Sequence, residues 1–183
     1  MWLFLFMATT IPQLETDRLW LRAHEAKDLE RAFAMWSDER VARFIGGKPS
    51  TRQASWSRLM AYRGHWDYLN FGYWAVVEKS SGLYIGDVGF ADFKREMAPS
   101  IEGQPEMGWV FSPAAHGKGY ASEATKSAME WGHRVLASRF ENVVCIVDPG
   151  NLPSLRIAEK NGFVKKQTTH YLGEPVELFS QSL

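Results

Sequence analysis

The sequence has a single cysteine and no excess charge of either sign. Cys145 has no second cysteine to pair with, so these 183 residues hold no internal disulfide, and we expect a reducing, cytoplasmic environment. Lysine and arginine total 21, as do aspartate and glutamate, so the net charge is zero. Without a positive balance there is no electrostatic argument for nucleic acid or an anionic membrane as a partner, and we expect neither.

The sequence also has no run of apolar residues long enough to cross a bilayer as a helix. The apolar stretch at residues 1–6 is far shorter than the roughly 20 residues that a membrane-spanning helix needs, and it lacks the features of a signal peptide. We expect residues 1–13 to be a tail, in which residues 1–6 are an artefact of an upstream start or are disordered. We predict no metal site, because no metal-ligand spacing relates the histidines at 24, 65, 133 and 170.

What remains is the composition of an ordinary globular protein, and we expect one domain over residues 14–183. Hydrophobic periodicity and turn residues predict seven strands and four helices, alternating in the middle of the chain. Six strands are expected near 18–23, 71–77, 83–90, 142–147, 163–169 and 175–180, and a seventh is expected to end near Phe111. The helices are expected near 27–37, 51–68, 117–136 and 151–162. The pattern is mixed α/β, with the helix at 117–136 crossing over between two parallel strands.

Residues 105–124 read as a buried strand, a short loop and a glycine turn that opens a helix. Gly117 and Gly119 would let the backbone approach a phosphate, and the helix would present N–H groups at its positive end. A P-loop is excluded because Ala42 stands where its first glycine belongs, and a Rossmann fingerprint because Ser122 stands in place of its last glycine. The plainer alternative is an ordinary strand–loop–helix junction.

The order of residues 116–121 is His-Gly-Lys-Gly-Tyr-Ala. It resembles the acetyl-CoA motif of the GNAT superfamily of acyl-CoA N-acyltransferases, which runs Arg or Gln, two residues, Gly, one residue, then Gly or Ala. Residues 148–154 and 161–163 resemble the Asn-x-x-Ser and Gly-Phe region that follows in that superfamily. Residues 14–22, with Asp28, resemble the start of the ribosomal-protein alanine N-acetyltransferase branch. The resemblance covers about residues 14–180.

The resemblance implies a mixed, mostly antiparallel sheet of about seven strands flanked by about four helices. Two parallel strands would splay apart and hold the pantetheine arm of acetyl-CoA between them. His116 departs from the usual Arg or Gln and would face the phosphates through its backbone, with Lys118 or Arg156 supplying positive charge; the alternative is a solvated loop residue. The cofactor-binding residues implied are Trp109, Val110, Phe111, His116, Gly117, Lys118, Gly119, Tyr120, Ala121, Asn151 and Ser154.

Acetyl transfer to an amine needs a base for the ammonium proton, a donor for the oxyanion and an acid for the leaving thiolate. Glu106 stands where many superfamily members carry a strand glutamate, and burial would raise its pKa to suit a base; its alternative role is structural. By resemblance the oxyanion donor is a backbone amide near Val110 or Phe111. Ser154 is the first candidate acid, with helix capping as its alternative, and Tyr171 is the second.

Lys166 is a departure from the pattern. Some ribosomal-protein acetylases carry a glutamate three residues after the Gly-Phe pair, and Lys166 stands in that position here. That base cannot be carried over, and the ribosomal substrate is less well supported. Several aromatic residues fall in or beside the region that covers the acceptor in relatives, with a place in the core as their alternative: Trp36, Phe44, Trp66, Tyr73 and Trp74.

The sequence thus predicts an acetyl-CoA-dependent N-acetyltransferase in which an amine attacks the thioester directly. The acceptor is either a protein or peptide N-terminus or a small amine. A non-catalytic acyl-CoA-binding regulatory module is the alternative, and either a monomer or a homodimer is compatible with the sequence.

Overall fold

A computed structural model describes residues 10–183, in which a single eight-stranded sheet runs through the molecule. Expectations for residues 1–9 lie outside this range. The spatial order is β1-β2-β3-β4-β5-β6-β8-β7. The strands are β1 (Leu14–Glu15), β2 (Leu19–Arg22), β3 (Tyr73–Glu78), β4 (Leu83–Ala91), β5 (Glu106–Phe111), β6 (Asn142–Val147), β7 (Val164–Tyr171) and β8 (Glu174–Ser182).

Within the same range, five α-helices flank the sheet: α1 (Leu29–Trp36), α2 (Glu39–Ala42), α3 (Arg52–Leu69), α4 (Tyr120–Val135) and α5 (Leu152–Lys160). Capping side chains fix where three of them begin, and at α2 the Asp38 carboxylate accepts a hydrogen bond from the Arg40 N–H. The Thr51 hydroxyl accepts a hydrogen bond from the Ala54 N–H, and the Asn151 side chain accepts one from the Ser154 N–H. Short 3₁₀ turns cover Ala26–Asp28 and Pro113–Ala115.

The sheet is antiparallel except for one pair, β5 and β6, which α4 connects. This confirms the predicted crossover and the mixed, mostly antiparallel class. Glu106 and Val144 are the one aligned residue pair between the two strands. Beyond Glu106 the strands part, so the β6-facing edge of β5 has no strand partner among the described residues from that point to Phe111.

Two buried clusters sandwich the sheet. On the α4 side, Trp66, Trp74 and Trp131 pack edge-to-face with centroids 4.8–5.5 Å apart. On the other side, Tyr62 stacks on Tyr73 at 4.4 Å within a cluster that includes Trp36 from α1. Trp66 and Trp74 are therefore core residues. Among the helices of residues 10–183, none is long and apolar enough to span a membrane.

Candidate active site

The loop before α4 is held in a form that favours glycine. Gly117 has φ +75°, and Gly119, the residue that precedes α4, has φ +80°. Residues with a Cβ rarely adopt such positive φ angles. Arg18 braces the loop from outside, because its guanidinium donates to the Lys118 carbonyl at 2.9 Å and pairs with Glu123 at 2.6 Å. The first turn of α4 lies directly behind, where a helix leaves backbone N–H groups without partners inside the helix.

A cavity of about 680 Å³ opens beside this loop. Its walls are the end of β5, the glycine loop, the first turn of α4, the start of α5 and the segment around α2. All the residues predicted to bind cofactor line it except Lys118, whose side chain instead borders a smaller, 170 Å³ pocket with Arg31 and Glu78. The segment around α2 also lines the cavity, and of its residues the sequence had singled out only Phe44, as one of the aromatic residues near the acceptor region. The lining residues of this segment are Arg40, Val41, Arg43, Phe44 and Ile45.

Four cations border this cavity, two from each side. Arg156 and Lys160 come from α5, while Arg40 and Arg43 come from the α2 segment. Arg40 is bound to Asp38 at 2.6 Å, and this pairing lowers the pKa of Asp38 to about 2. The sequence indicated Arg156 but not Lys160, which lies four residues later on the same helix. Arg40 and Arg43 gave no signal, because their approach depends on how the α2 segment folds over the cavity.

His116 is exposed, and its ring also contacts the end of β5. Its Nε2 lies 2.9 Å from the Phe111 carbonyl oxygen, so the ring folds back onto the end of β5. Its ring also borders the cavity. The side chain in this first position of the motif therefore closes the turn between strand and loop.

Trp109 and Ser154 meet across the opening between β5 and α5. The Trp109 Nε1–H donates to the Ser154 Oγ at 3.3 Å, and both side chains are partly exposed to the cavity. Asn151 provides the helix cap by accepting from the Ser154 backbone N–H at 3.2 Å. The Ser154 hydroxyl is therefore separate from the capping interaction.

Glu106 is buried and paired with an arginine that the sequence did not indicate. Arg95 donates two hydrogen bonds to its carboxylate, Nε to Oε2 at 2.6 Å and Nη2 to Oε1 at 2.8 Å. The Arg95 guanidinium packs on the rings of Phe93 and Tyr171, at 4.8 and 4.6 Å from their centroids. Burial raises the pKa of Glu106, while the Arg95 guanidinium acts in the opposite direction.

The segment that carries Arg95 is attached to the rest of the molecule at several points. Asp92 accepts hydrogen bonds from the backbone N–H groups of Lys94 and Gly103. The Thr169 hydroxyl on β7 donates to the Ala98 carbonyl, and Ala98 forms a β-bridge with His170. The segment therefore joins β4 and β5 to the β7–β8 hairpin and brings Tyr171 to the Glu106 side of the site.

A second buried carboxylate lies on β4, beside β5. Asp87 is completely buried and accepts from Tyr84 Oη at 2.7 Å, His24 Nε2 at 2.8 Å and Trp36 Nε1 at 3.1 Å. Asp87 is the cross-strand partner of Val110, which lines the cavity. Trp36 thus anchors a buried polar network. Residues 10–183 contain no group of three or more His, Cys, Asp or Glu placed to hold a metal.

A glycine loop at a helix N-terminus, a parting pair of parallel strands and a cationic cavity together form a candidate site for a nucleotide cofactor. A family model for the acetyltransferase (GNAT) domain matches residues 18–164. The chain therefore belongs to the GNAT acetyltransferase family, and the family and the class of enzyme expected from the sequence are confirmed.

Individual relatives agree with this assignment. The chain is 28% identical over 158 residues to the uncharacterized N-acetyltransferase YnaD of Bacillus subtilis, covering 84% of this chain and 86% of that protein. A solved structure described as a GnaT-family acetyltransferase from Bordetella pertussis is 31% identical, with a TM-score of 0.80, and covers 93% of this chain and 99% of that one.

The same fold occurs in a ribosomal L7/L12 alpha-N-protein acetyltransferase solved in complex with coenzyme A. The TM-score is 0.74, with 94% of this chain and 98% of that one covered. At 12% identity the likeness is one of fold.

Proposed function

We propose that this protein transfers the acetyl group of acetyl-CoA to a primary amine, which attacks the thioester directly. The observation that carries the proposal is the cavity of about 680 Å³ between the glycine loop and the parted strands. The glycine loop at one end of the cavity can bind phosphates, and at the other end the edge of β5 has no strand partner among the described residues.

The phosphates of the donor bind at the glycine loop. Apart from Gly117 and its two chain neighbours, no described residue has an atom within 4 Å of the position that a Cβ on Gly117 would take, so the backbone there is open to a ligand. Arg156 and Lys160 place positive charge on the same cavity, and a helix N-terminus favours negative charge. Lys118 is oriented toward Tyr120 and the smaller pocket, so we assign it a smaller part in phosphate binding.

The pantetheine arm lies along the open edge of β5, and the thioester lies near residues 108–110. Backbone amides alternate between the two edges of a strand, and the Ser112 N–H bonds to the Ile85 carbonyl of β4, so the Val110 amide also faces β4. The Phe111 amide faces the edge that has lost its parallel neighbour, and it donates to the oxyanion. The Ser154 hydroxyl, across the opening, donates to the sulfur as the thiolate leaves. Tyr171 packs on Arg95, so we assign it to the wall around Glu106.

Glu106 takes the proton that the acceptor ammonium must lose before it attacks. In the structure its carboxylate already holds a cation, the Arg95 guanidinium, which also packs on two aromatic rings. Carboxylate and aromatic faces are the groups that bind ammonium ions. We propose that the acceptor ammonium replaces the Arg95 guanidinium at Glu106.

The acceptor class is tested by following free-thiol release from acetyl-CoA with peptides, amino acids, polyamines and aminoglycosides. Thiol release that depends on one class of amine, with the acetylated amine found by mass spectrometry, would support the proposal and identify the substrate. Tight acetyl-CoA binding with no thiol release across the panel would favour the non-catalytic module instead.

A further inference from the structure

Trp109 makes a directed contact with the hydroxyl of Ser154. An indole N–H can only donate, whereas a serine hydroxyl has one proton to donate and two lone pairs to accept with. In the 3.3 Å contact between Trp109 Nε1 and Ser154 Oγ, the serine oxygen must therefore be the acceptor. One lone pair is occupied, and the hydroxyl proton remains available.

The hydroxyl proton of Ser154 has no hydrogen-bond acceptor among the described residues around it. Helix capping is carried by the Asn151 side chain, which binds the Ser154 backbone N–H and leaves the hydroxyl out. Within residues 10–183 the Ser154 Oγ donates to no protein acceptor in a described hydrogen bond. Both Trp109 and Ser154 line the cavity, so an O–H directed away from the indole can meet a ligand there.

We propose that Trp109 is a positioning residue that orients Ser154 as a hydrogen-bond donor to the coenzyme A sulfur. The inference rests on the proposed acetyl transfer. Once Glu106 has taken the ammonium proton, the amine nitrogen forms its bond to the thioester carbon, and the C–S bond breaks with its electron pair on sulfur, which leaves as a thiolate. The second proton that the nitrogen loses then converts the thiolate to the free thiol. The Ser154 O–H stabilises that thiolate, and accepting from the indole makes the hydroxyl a better donor.

The test is a double-mutant cycle of Trp109→Phe and Ser154→Ala, measured with the best amine from the panel. Phe keeps an aromatic ring and removes the N–H. We expect Ser154→Ala to lower kcat by about tenfold or more, and Trp109→Phe by about three- to tenfold. In the Ser154→Ala background, Trp109→Phe should change kcat less than about 1.5-fold, because the group that it orients is gone.

The affinity for acetyl-CoA separates orientation from packing. We expect its Kd to stay within about threefold of wild type in both single variants, since the contact acts on the departing thiolate. Trp56→Phe is the matched control, because Trp56 lies exposed on α3, and it should leave kcat unchanged. An equal loss of kcat from Trp109→Phe in both backgrounds, or no loss in either, would overturn the proposal.

Two further measurements keep the outcomes distinct. If Trp109→Phe does not fold, benzothienylalanine at position 109 keeps the shape of the ring and replaces N–H by sulfur, and the same loss is expected. An active enzyme whose Ser154→Ala variant keeps wild-type kcat would overturn this inference alone. A wild-type protein that releases no thiol with any amine would overturn the proposed function itself.

Discussion

Glu106 is buried, and its acid–base behaviour depends on the one guanidinium that contacts both of its oxygens. We expect Glu106→Gln to lower kcat at least about tenfold, since general bases contribute 10²–10⁴-fold. The Kd for acetyl-CoA, measured by calorimetry, should not change, because Glu106 does not line the cofactor cavity. Unaltered steady-state kinetics with a true substrate would contradict the base role.

Arg95 should set the pH at which Glu106 becomes active. Burial raises the pKa of Glu106 and Arg95 opposes that increase, so Arg95→Met should raise the pKa further. The carboxylate form, which is the base, would then appear only at higher pH. We expect the acidic limb of the pH profile of kcat/KM to move to higher pH in Arg95→Met. Arg95→Lys, which keeps the charge, should move it less; an unmoved limb in both would mean that another group is the base.

The sequence could indicate Glu106 but not its partner. Glu106 stands at a fixed distance before the glycine motif, and a buried strand carboxylate needs a cation or donors. Its partner lies 11 residues earlier in a polar segment without periodicity. Only the folding of residues 92–105 against β7 brings Arg95 to that position. The network around Asp87 is similar, because residues from separate parts of the chain converge on it.

The glycine loop leads directly into α4. Alanine substitutions at two glycines of similar backbone conformation can distinguish an effect on acetyl-CoA binding from an effect on folding stability. Gly117 and Gly82 have φ of +75° and +69°, and at neither residue does a described atom beyond the glycine and its two chain neighbours lie within 4 Å of the place that a Cβ would occupy. Alanine at either position should cost about 1 kcal/mol of stability. Only Gly117→Ala should also raise the Kd for acetyl-CoA, by at least about fivefold, because only Gly117 borders the cavity. Equal affinities for the two variants would mean that the loop does not hold the phosphates.

Long elements were predicted well and short ones were not. The strand from Asn142 to Val147 was predicted to the residue, and each expected helix and strand is present within a few residues. The strand β1 and helix α2, with two and four residues, were missed because so few residues carry no periodic signal. Because α2 was missed, the prediction of the site lacked Arg40 and Arg43, which line the cavity.

Across the whole molecule, acid should destabilise the fold through paired carboxylates. Asp28 is buried, and although burial opposes ionisation, hydrogen bonds from Arg22 and the Glu25 backbone lower its pKa. A lowered pKa in the folded state gives stability that is present above the unfolded value of about 3.9 and is lost as the pH falls through the folded value. We expect the midpoint of thermal unfolding to decrease below about pH 4, and less steeply in Asp28→Asn; identical slopes would exclude Asp28 as a contributor.

Acetyl-CoA should stabilise the whole molecule, because its cavity joins β5, α2, α4 and α5, elements that are far apart in the sequence. At a hundredfold excess over its Kd, a ligand that binds only the folded state adds about 2.7 kcal/mol. For a domain of this size that is roughly 5–11 °C in the unfolding midpoint. ATP and NADH are the controls, since they share phosphates but lack the pantetheine arm that the parted strands would hold. A shift with acetyl-CoA and little with the controls would assign the cavity to the whole cofactor. Equal shifts with all three would limit recognition to phosphate, and the opening between β5 and α5 would then need another occupant.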